Sequence, residues 1–296
     1  MKQFRYDTSG HWYKGNVHLH STVSDGGKTF GEMAALYAAA GYDFLFRTDH
    51  WAPSDTSADA EAYPLLWLDG VEFDGRDHTG AMFHFVCLGP VSGIDRAMGL
   101  AEALRAAREQ GALIVLAHPH WCGNTTDDGL RWRPDGVEVY NHVCHWLNGK
   151  SGGLVHWEAV LRQNPNALAF AVDDAHLRPE HPGWNGGWIV VNAGECSASA
   201  IMASIRRGNF FATCGPEFRS IQLDGRDLRL RTSPVRFIRL AGPGCLGKRL
   251  GSFDGPLMTE AVLTVPEDWD YVYLEIEDEA RRRAWTNGLF AVTGGR

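Results

Sequence analysis

Asn16-Val17-His18-Leu19-His20-Ser21 is the stretch on which the reading of this chain turns. In a β-strand, residues two apart point to the same side, so His18 and His20 can both grip one ion, which a helix would not allow. Asp174-Ala175-His176 repeats the alternation, and Asp49-His50 sets two ligand types side by side. Each motif ends an apolar run: Asn16-Val17 leads to His18, Leu45-Phe46 to Asp49-His50, Val115-Leu116-Ala117 to His118, and Phe170-Ala171-Val172 to Asp173-Asp174. Ligand-type residues therefore recur where a buried strand stops. Asp25, Glu72 in Gly70-Val71-Glu72-Phe73, and His84 at the head of His84-Phe85-Val86-Cys87-Leu88 complete the set.

Around these motifs, residues 15 to 215 alternate between helix-like and strand-like segments. Thr29 and Glu32 form a capping box before Met33 to Ala40, and Gly41 closes that helix before a strand from Tyr42 to Arg47. Asp95 to Gln110 reads as one helix stopped by Gly111, followed by the apolar run Leu113 to Leu116. Val137 to Tyr140, Leu168 to Val172 and Trp188 to Val191 read as strands, with helices over Leu154 to Arg162 and Ser197 to Arg206. Such alternation predicts an α/β fold with a parallel sheet and enough units to close a barrel, whose chemistry lies at the carboxyl ends of the strands. After Gly215-Pro216 the pattern changes to short β-rich pieces with little helical periodicity. The expected organisation is a hydrolase-sized barrel over 1–215 and a small antiparallel subdomain over 216–296 packed on it.

Composition narrows the function classes. Of 296 residues, 44% are hydrophobic and 22% charged, and no apolar run approaches the roughly 20 residues that span a bilayer. No membrane association is expected, and the start Met1-Lys2-Gln3-Phe4-Arg5 lacks an apolar export signal, which makes the cytoplasm the expected location. Six cysteines stand singly with no CxxC, a pattern of reduced thiols. A net charge of −8 repels a phosphate backbone, so nucleic acid is not an expected partner. The local arginines, Arg226, Arg229, Arg231, Arg236 and Arg239, alternate with apolar residues as a solvated strand face does.

Taken singly, a histidine in an apolar strand is a hydrogen-bonded core residue more often than a ligand. The set is different, because burying so many ionisable groups costs several kcal/mol each unless a cation compensates them. The order Asn16-Val17-His18-Leu19-His20-Ser21, Ser24-Asp25-Gly26, Thr48-Asp49-His50, Glu72, His84, Ala117-His118-Pro119 and Asp174-Ala175-His176 resembles the PHP family, named for polymerase and histidinol phosphatase. The resemblance covers roughly residues 12 to 215. It implies a distorted seven-stranded, TIM-like β/α barrel holding two or three divalent metal ions. By that likeness His18, His20, Glu72 and Asp174 hold the first ion, and Glu72 bridges to a second completed by His84 and His118. Asp25, His50 and His176 take a third where one is bound; many family members carry histidine where Asp25 stands. Gly187 to Val191, Gly208 to Pro216 and Ala284-Trp285-Thr286-Asn287 are similar to the branch that contains carbaryl hydrolase, although that branch often has proline where this chain has Gly288.

Imidazole and carboxylate ligands without thiolates suit zinc, manganese or iron. Two cations sharing Glu72 can turn a bridging water into a hydroxide nucleophile near neutral pH, with no need of Ser or Cys. Where the third ion is absent, Asp25, His50 or His176 is placed to position or protonate the leaving group. The expected function is a metal-dependent phosphoesterase on a small phosphomonoester or phosphodiester; a carbamate, carboxyl-ester or amide hydrolase is the alternative, and a non-catalytic metal-binding module the second alternative. Glu138, Asn141, His142 and His145, near the end of the strand Val137 to Tyr140, are candidate substrate contacts, with capping or packing of the following segment an equal reading for His142 and His145; Arg47 is a candidate anion contact. Asp49 and Asp173 are expected behind the ligands or as strand-end caps. No GxGxxG after a strand, Walker loop or GxSxG elbow is present.

Overall fold

The computed structural model describes residues 2–57 and 62–292. The strands of the first half are β1 (Lys2–Phe4), β2 (His11–Asn16), β3 (Phe44–Arg47), β4 (Leu66–Arg76), β5 (Met82–Leu88), β6 (Leu113–Leu116), β7 (Gly136–Asn141) and β8 (Leu168–Val172). Then come β9 (Trp188–Ala193), β10 (Phe210–Thr213), β11 (Phe218–Asp224), β12 (Asp227–Val235) and β13 (Phe237–Ala241). The last are β14 (Gly247–Leu250), β15 (Met258–Thr264), β16 (Tyr273–Glu277), β17 (Arg283–Thr286) and β18 (Phe290–Val292). Helices are α1 (Phe30–Ala39), α2 (Leu100–Glu109), α3 (Pro119–Cys122), α4 (Thr126–Trp132), α5 (His142–Asn148), α6 (Leu154–Gln163) and α7 (Ala198–Arg207).

Local sequence explains most boundaries. The α1 capping box forms, with Thr29 accepting from the Glu32 N–H and the Glu32 carboxylate accepting from the Thr29 N–H. The helix then buries Phe30, Met33 and Tyr37 against Tyr42 and Leu45. The single helix expected from Asp95 to Gln110 is instead a 3₁₀ turn, Arg96–Met98, and α2, separated at Gly99. Gly99 has φ 75°, a conformation that glycine adopts without a steric penalty and that ends the turn.

Thirteen strands join one mixed sheet in the order β14-β13-β16-β17-β10-β9-β2-β3-β4-β5-β6-β7-β8. The parallel sheet anticipated from helix–strand alternation holds for β2-β3-β4 and β6-β7-β8, but β5 is antiparallel to both β4 and β6, and β9 is antiparallel to β2. Between β4 and β5 the reason is the turn from Arg76 to Met82: the Asp77 carboxylate accepts from the Thr79 and Ala81 N–H groups and Gly80 takes φ 83°, so the chain folds straight back. A parallel partner requires a crossover of a dozen or more residues, and none intervenes.

The seven strands β2 to β8 curl until the chain beyond β8 meets the chain beyond β2. Contact there is an isolated parallel bridge, Leu19 with Ala175, in which Asp174 N–H donates to the His18 carbonyl and His20 N–H to that of Ala175, each at 2.9 Å. A continuous ladder is absent at this joint among the described residues, and β9 carries the sheet onward from the outer edge of β2. Val17, Phe44, Phe46, Val86, Val115 and Phe170 fill the interior beneath. Each fully buried side chain of this size contributes roughly 1.5–3 kcal/mol by leaving water.

After Pro216 the chain builds a three-stranded sheet, β11-β12-β15, and also extends the large sheet through the β17–β10 pairing. Asn287 ties the parts together: its Oδ1 accepts from Ala169 N–H, and its Nδ2 donates to the carbonyls of Gly208 and Phe210. Arg239 is paired with Glu275 and Glu277, while Arg226, Arg229 and Arg231 lie on strand β12 or just before it as a solvated face. Among the described residues no helix is long and apolar enough to cross a membrane.

Candidate metal centre

Strand direction assembles the site. His18 and His20 follow β2, Asp49 and His50 follow β3, His118 follows β6, and Asp174 and His176 follow β8, all at the carboxyl edge of parallel strands. His84 comes from the beginning of β5, and because β5 runs the opposite way its start lies on that same edge, opposite Asp74 of β4. Glu72 stands within β4, its backbone bridged to His50.

The nine candidate ligands, His18, His20, Asp25, His50, Glu72, His84, His118, Asp174 and His176, fall into four overlapping groups whose ligand atoms lie within 4.8 Å of one another. These groups are His18, Glu72 and His118; His18, His20 and Asp174; His50, Glu72 and His84; and His20, Asp25, His50 and His176. Glu72 faces both ways. Its Oε1 lies 2.9 Å from His84 Nδ1 and 3.4 Å from His118 Nε2, and its Oε2 lies 3.2 Å from the Nε2 atoms of His18 and His20 and 3.1 Å from His50 Nδ1. Asp174 Oδ1 stands 3.3 Å from His18 Nε2 and 3.1 Å from His20 Nε2. On the outer side, Asp25 Oδ2 is 3.3 Å from His176 Nε2.

Electrostatics follow from this crowding. Burial by itself pulls the His18, His20 and His84 imidazoles down, but the carboxylates outweigh it: Asp174, Glu72 and Glu138 hold His18 well above its ordinary value, and Asp174 and Glu72 push His20 up to about 9. Glu72 chiefly does the same for His84. Conversely, burial raises Glu72 and Asp174, yet the surrounding imidazoles, His18 foremost, hold both below the usual carboxylate range.

Two features show that this cluster fits cations. Glu72 Oε2 and His20 Nδ1 are buried without a hydrogen-bond partner, so close approach does not satisfy them. An unsatisfied buried polar atom costs about 1–3 kcal/mol, which an ion at the focus removes. Backbone conformation is the second: His118 and Asp174 sit at φ 26° and 55°, a left-handed region costing on the order of 1–3 kcal/mol per residue and found at functional sites.

Supporting residues are as specific as the ligands. Glu138 is buried behind His18, its Oε1 2.6 Å from His18 Nδ1, while Oε2 accepts from the His118 N–H at 2.8 Å and from Asn141 Nδ2 at 2.9 Å. Asn141 also donates to Asp174 Oδ2 at 3.2 Å and caps α5 through Cys144 N–H, so its side chain faces inward. His142 is half-buried beside the Tyr140 hydroxyl, its imidazole pushed down by burial, and His145 is exposed. Arg47 Nε reaches Asp49 at 3.4 Å. None of these three belongs to the groups of close ligand atoms.

Asp49 takes hydrogen bonds from Ser21 and Ser24 and so shapes the loop that carries Asp25; Asp173 takes them from Tyr37 and the N–H groups of Asn185, Gly186 and Gly187. Sequence reasoning passed over Asp74, although the strand alternation that places Glu72 also places Asp74 on its face. Cys122 Sγ lies 3.5 Å from His118 Nδ1, but burial pushes its pKa up and keeps it a thiol.

No family model and no curated protein matches the chain. Among solved structures, it is similar to a two-domain protein from Bacteroides vulgatus containing a predicted PHP-like metal-dependent phosphoesterase, at a TM-score of 0.55 and 15% identity over 97% of this chain and 98% of that one. A protein from Bifidobacterium adolescentis assigned as a metal-dependent phosphoesterase matches at 0.45 and 14% identity, over 66% of this chain and 96% of its own. An amidohydrolase from Chromobacterium violaceum, with bound sulfate and no metal, matches at 0.23 and 22% identity over 57% of each chain. The first likeness shows that this chain shares the fold of that two-domain protein along nearly its whole length.

Proposed function

We propose that this chain is a metal-dependent phosphoesterase acting on a small phosphomonoester or phosphodiester, with two divalent ions sharing Glu72 and a third position at Asp25, His50 and His176. One observation carries the reading: the two oxygens of Glu72 face two different sets of imidazoles. His18, His20 and Asp174 gather on one side of the carboxylate and His84 and His118 on the other, with zinc, manganese or iron suited to such donors. Strands β2 to β8 are read as the distorted barrel of a unit spanning 1–215, with 216–296 as its β-rich companion.

Cations held by these residues would supply positive charge to the oxygens of the reacting phosphorus and would lower the pKa of a bound water toward neutrality. The chain's residues do the rest. Glu72, His18 and His20 are buried, so the centre excludes bulk water, whereas the Asp25 side chain is 41% exposed and marks the open side. A substrate entering from that side meets Asp25, with His50 and His176 beside it. With ions only around Glu72, His176 Nε2, oriented by Asp25 Oδ2, is placed to hold a proton for the leaving oxygen.

The test combines elemental analysis of protein purified without added metal with a panel of nitrophenyl phosphate, bis-nitrophenyl phosphate and a naphthyl carbamate. Hydrolysis of a phosphate ester, abolished by chelation and restored by Mn²⁺ or Zn²⁺, is the expected result. Preference for the carbamate refutes the phosphoesterase assignment in favour of a carbamate or ester hydrolase, and activity indifferent to exhaustive chelation refutes the metal mechanism.

A further inference from the structure

We propose that Asp74, clamped by Arg96, is a positioning residue for His50; the inference rests on the metal reading above and adds to it a residue outside the ligand set. Asp74 follows Glu72 by two along β4 and so shares its face. Its Oδ1 lies 3.2 Å from His50 Nδ1. The same carboxylate takes a two-pronged hydrogen bond from Arg96, Nη2 to Oδ1 at 2.9 Å and Nη1 to Oδ2 at 3.1 Å, a geometry that fixes the carboxylate plane as well as its place.

The residue after His50 is locked into the same frame. Trp51 has φ 52°, a left-handed conformation unfavourable for an aromatic residue. It is held there by its N–H donating to the Glu72 carbonyl at 2.9 Å and its indole N–H to the Asp74 carbonyl at 3.2 Å. Its ring packs at 4.7 Å on Phe73, and the Arg96 guanidinium lies 5.2 Å over it. The break at Gly99 gives Arg96 its own short turn, capped by Asp95, from which it reaches Asp74. Residues from three separate segments thus converge on the direction of one imidazole.

That direction matters because His50 belongs to two of the ligand groups, one with Glu72 and His84 and the other with His20, Asp25 and His176, whereas Asp74 belongs to none. Asp74 therefore acts through His50. His50 Nδ1 makes no hydrogen bond here; with the oxygens of Glu72 given over to ions, Asp74 Oδ1 at 3.2 Å is the acceptor left for a proton on Nδ1, which would leave the other ring nitrogen as the donor atom. A carboxylate behind a ligating histidine is worth about 10–100-fold in metal affinity.

The experiment is a Co²⁺ titration of metal-free protein, followed by visible absorption and by elemental analysis after gel filtration, on the native chain and on Asp74→Ala, Asp74→Asn and Arg96→Met. In Asp74→Ala, one equivalent weakens about 10–100-fold with a changed absorption band, and the others bind as before. Asp74→Asn, whose Oδ1 still accepts from Nδ1–H, recovers part of the loss, and Arg96→Met, which frees the carboxylate to swing, weakens the same equivalent. Asp74→Ala titrating with native affinities and spectrum overturns the proposal, as does a uniform weakening of all equivalents alongside a lowered melting temperature. A native protein that takes up no Co²⁺ overturns the metal reading itself, whereas native uptake with an unaltered Asp74→Ala overturns only the role of Asp74.

Discussion

Replacing Glu138 by glutamine changes one atom and cannot be accommodated without loss. The carboxylate has three partners and all are donors: His18 Nδ1 at 2.6 Å, His118 N–H at 2.8 Å and Asn141 Nδ2 at 2.9 Å. If the amide oxygen faces His18, the amide NH₂ confronts two N–H groups; if the amide is flipped, the NH₂ confronts His18 Nδ1. The second arrangement forces the His18 proton onto Nε2, the nitrogen 3.2 Å from Glu72 Oε2 and 3.3 Å from Asp174 Oδ1. Either way at least one charge-assisted hydrogen bond, about 1.5–3 kcal/mol, is lost in a residue only 1% exposed. Removing the charge behind a ligating histidine lowers metal affinity a further 10–100-fold, or about 1.4–2.7 kcal/mol. Urea unfolding of the metal-free and metal-loaded forms, with a metal titration of each, separates the two effects. Glu138→Gln that binds metal as the native chain does, at native stability, refutes the positioning argument and returns Glu138 to the candidates for substrate contact.

Glu72→Gln is expected to remove two equivalents of metal together and lower hydrolysis by more than about 10³-fold, since the bridging carboxylate serves both ions; loss of a single equivalent contradicts bridging. Asp25→Asn should spare those two, and elemental analysis shows whether it does. The metal-free protein should lose stability as pH rises from 6.5 to about 9, because a His20 pKa raised on folding contributes stability that is present below the unfolded value and lost through the folded one. The change is on the order of 3 kcal/mol, read from urea midpoints, and midpoints that stay level or rise across this window contradict it. Asn287→Ala breaks three buried side-chain hydrogen bonds and should cost on the order of 3 kcal/mol with metal content unchanged; lost metal would show that Asn287 acts on the centre as well.

Much of the ligand set could be read from sequence because strand alternation and neighbouring residues encode it locally. His18 with His20 needs only a period of two, and the structure gathers both with Asp174, whereas His176 falls into a different group with His20, Asp25 and His50 because Asp174 takes φ 55° just past β8. The fold was less legible where the deciding interaction is a turn. Asp77 to Ala81 reverses the chain and makes β5 antiparallel, so His84, at the start of a strand, joins residues at the ends of others. Glu138 was visible as a strand-end residue, but its direction depends on β7 and β8 pairing in register with a shift near Tyr140, which no local pattern encodes. Asp74 lacks an adjacent histidine and is recognised only through His50 and Arg96, remote in sequence.

The bridge between Leu19 and Ala175 gives the centre a mechanical sense. Among the described residues three backbone hydrogen bonds join the flanks there, Asp174 N–H to His18, His20 N–H to Ala175 and Gly27 N–H to His176, with His18 and His20 on one side of the joint and Asp174 and His176 on the other. On the proposed metal reading, donors from both sides would be drawn to the same ions and act as rivets across this seam, so that metal loading would tighten it; the amide protons of His20 and Asp174 are the reporters in hydrogen exchange, and protection unchanged by metal contradicts this.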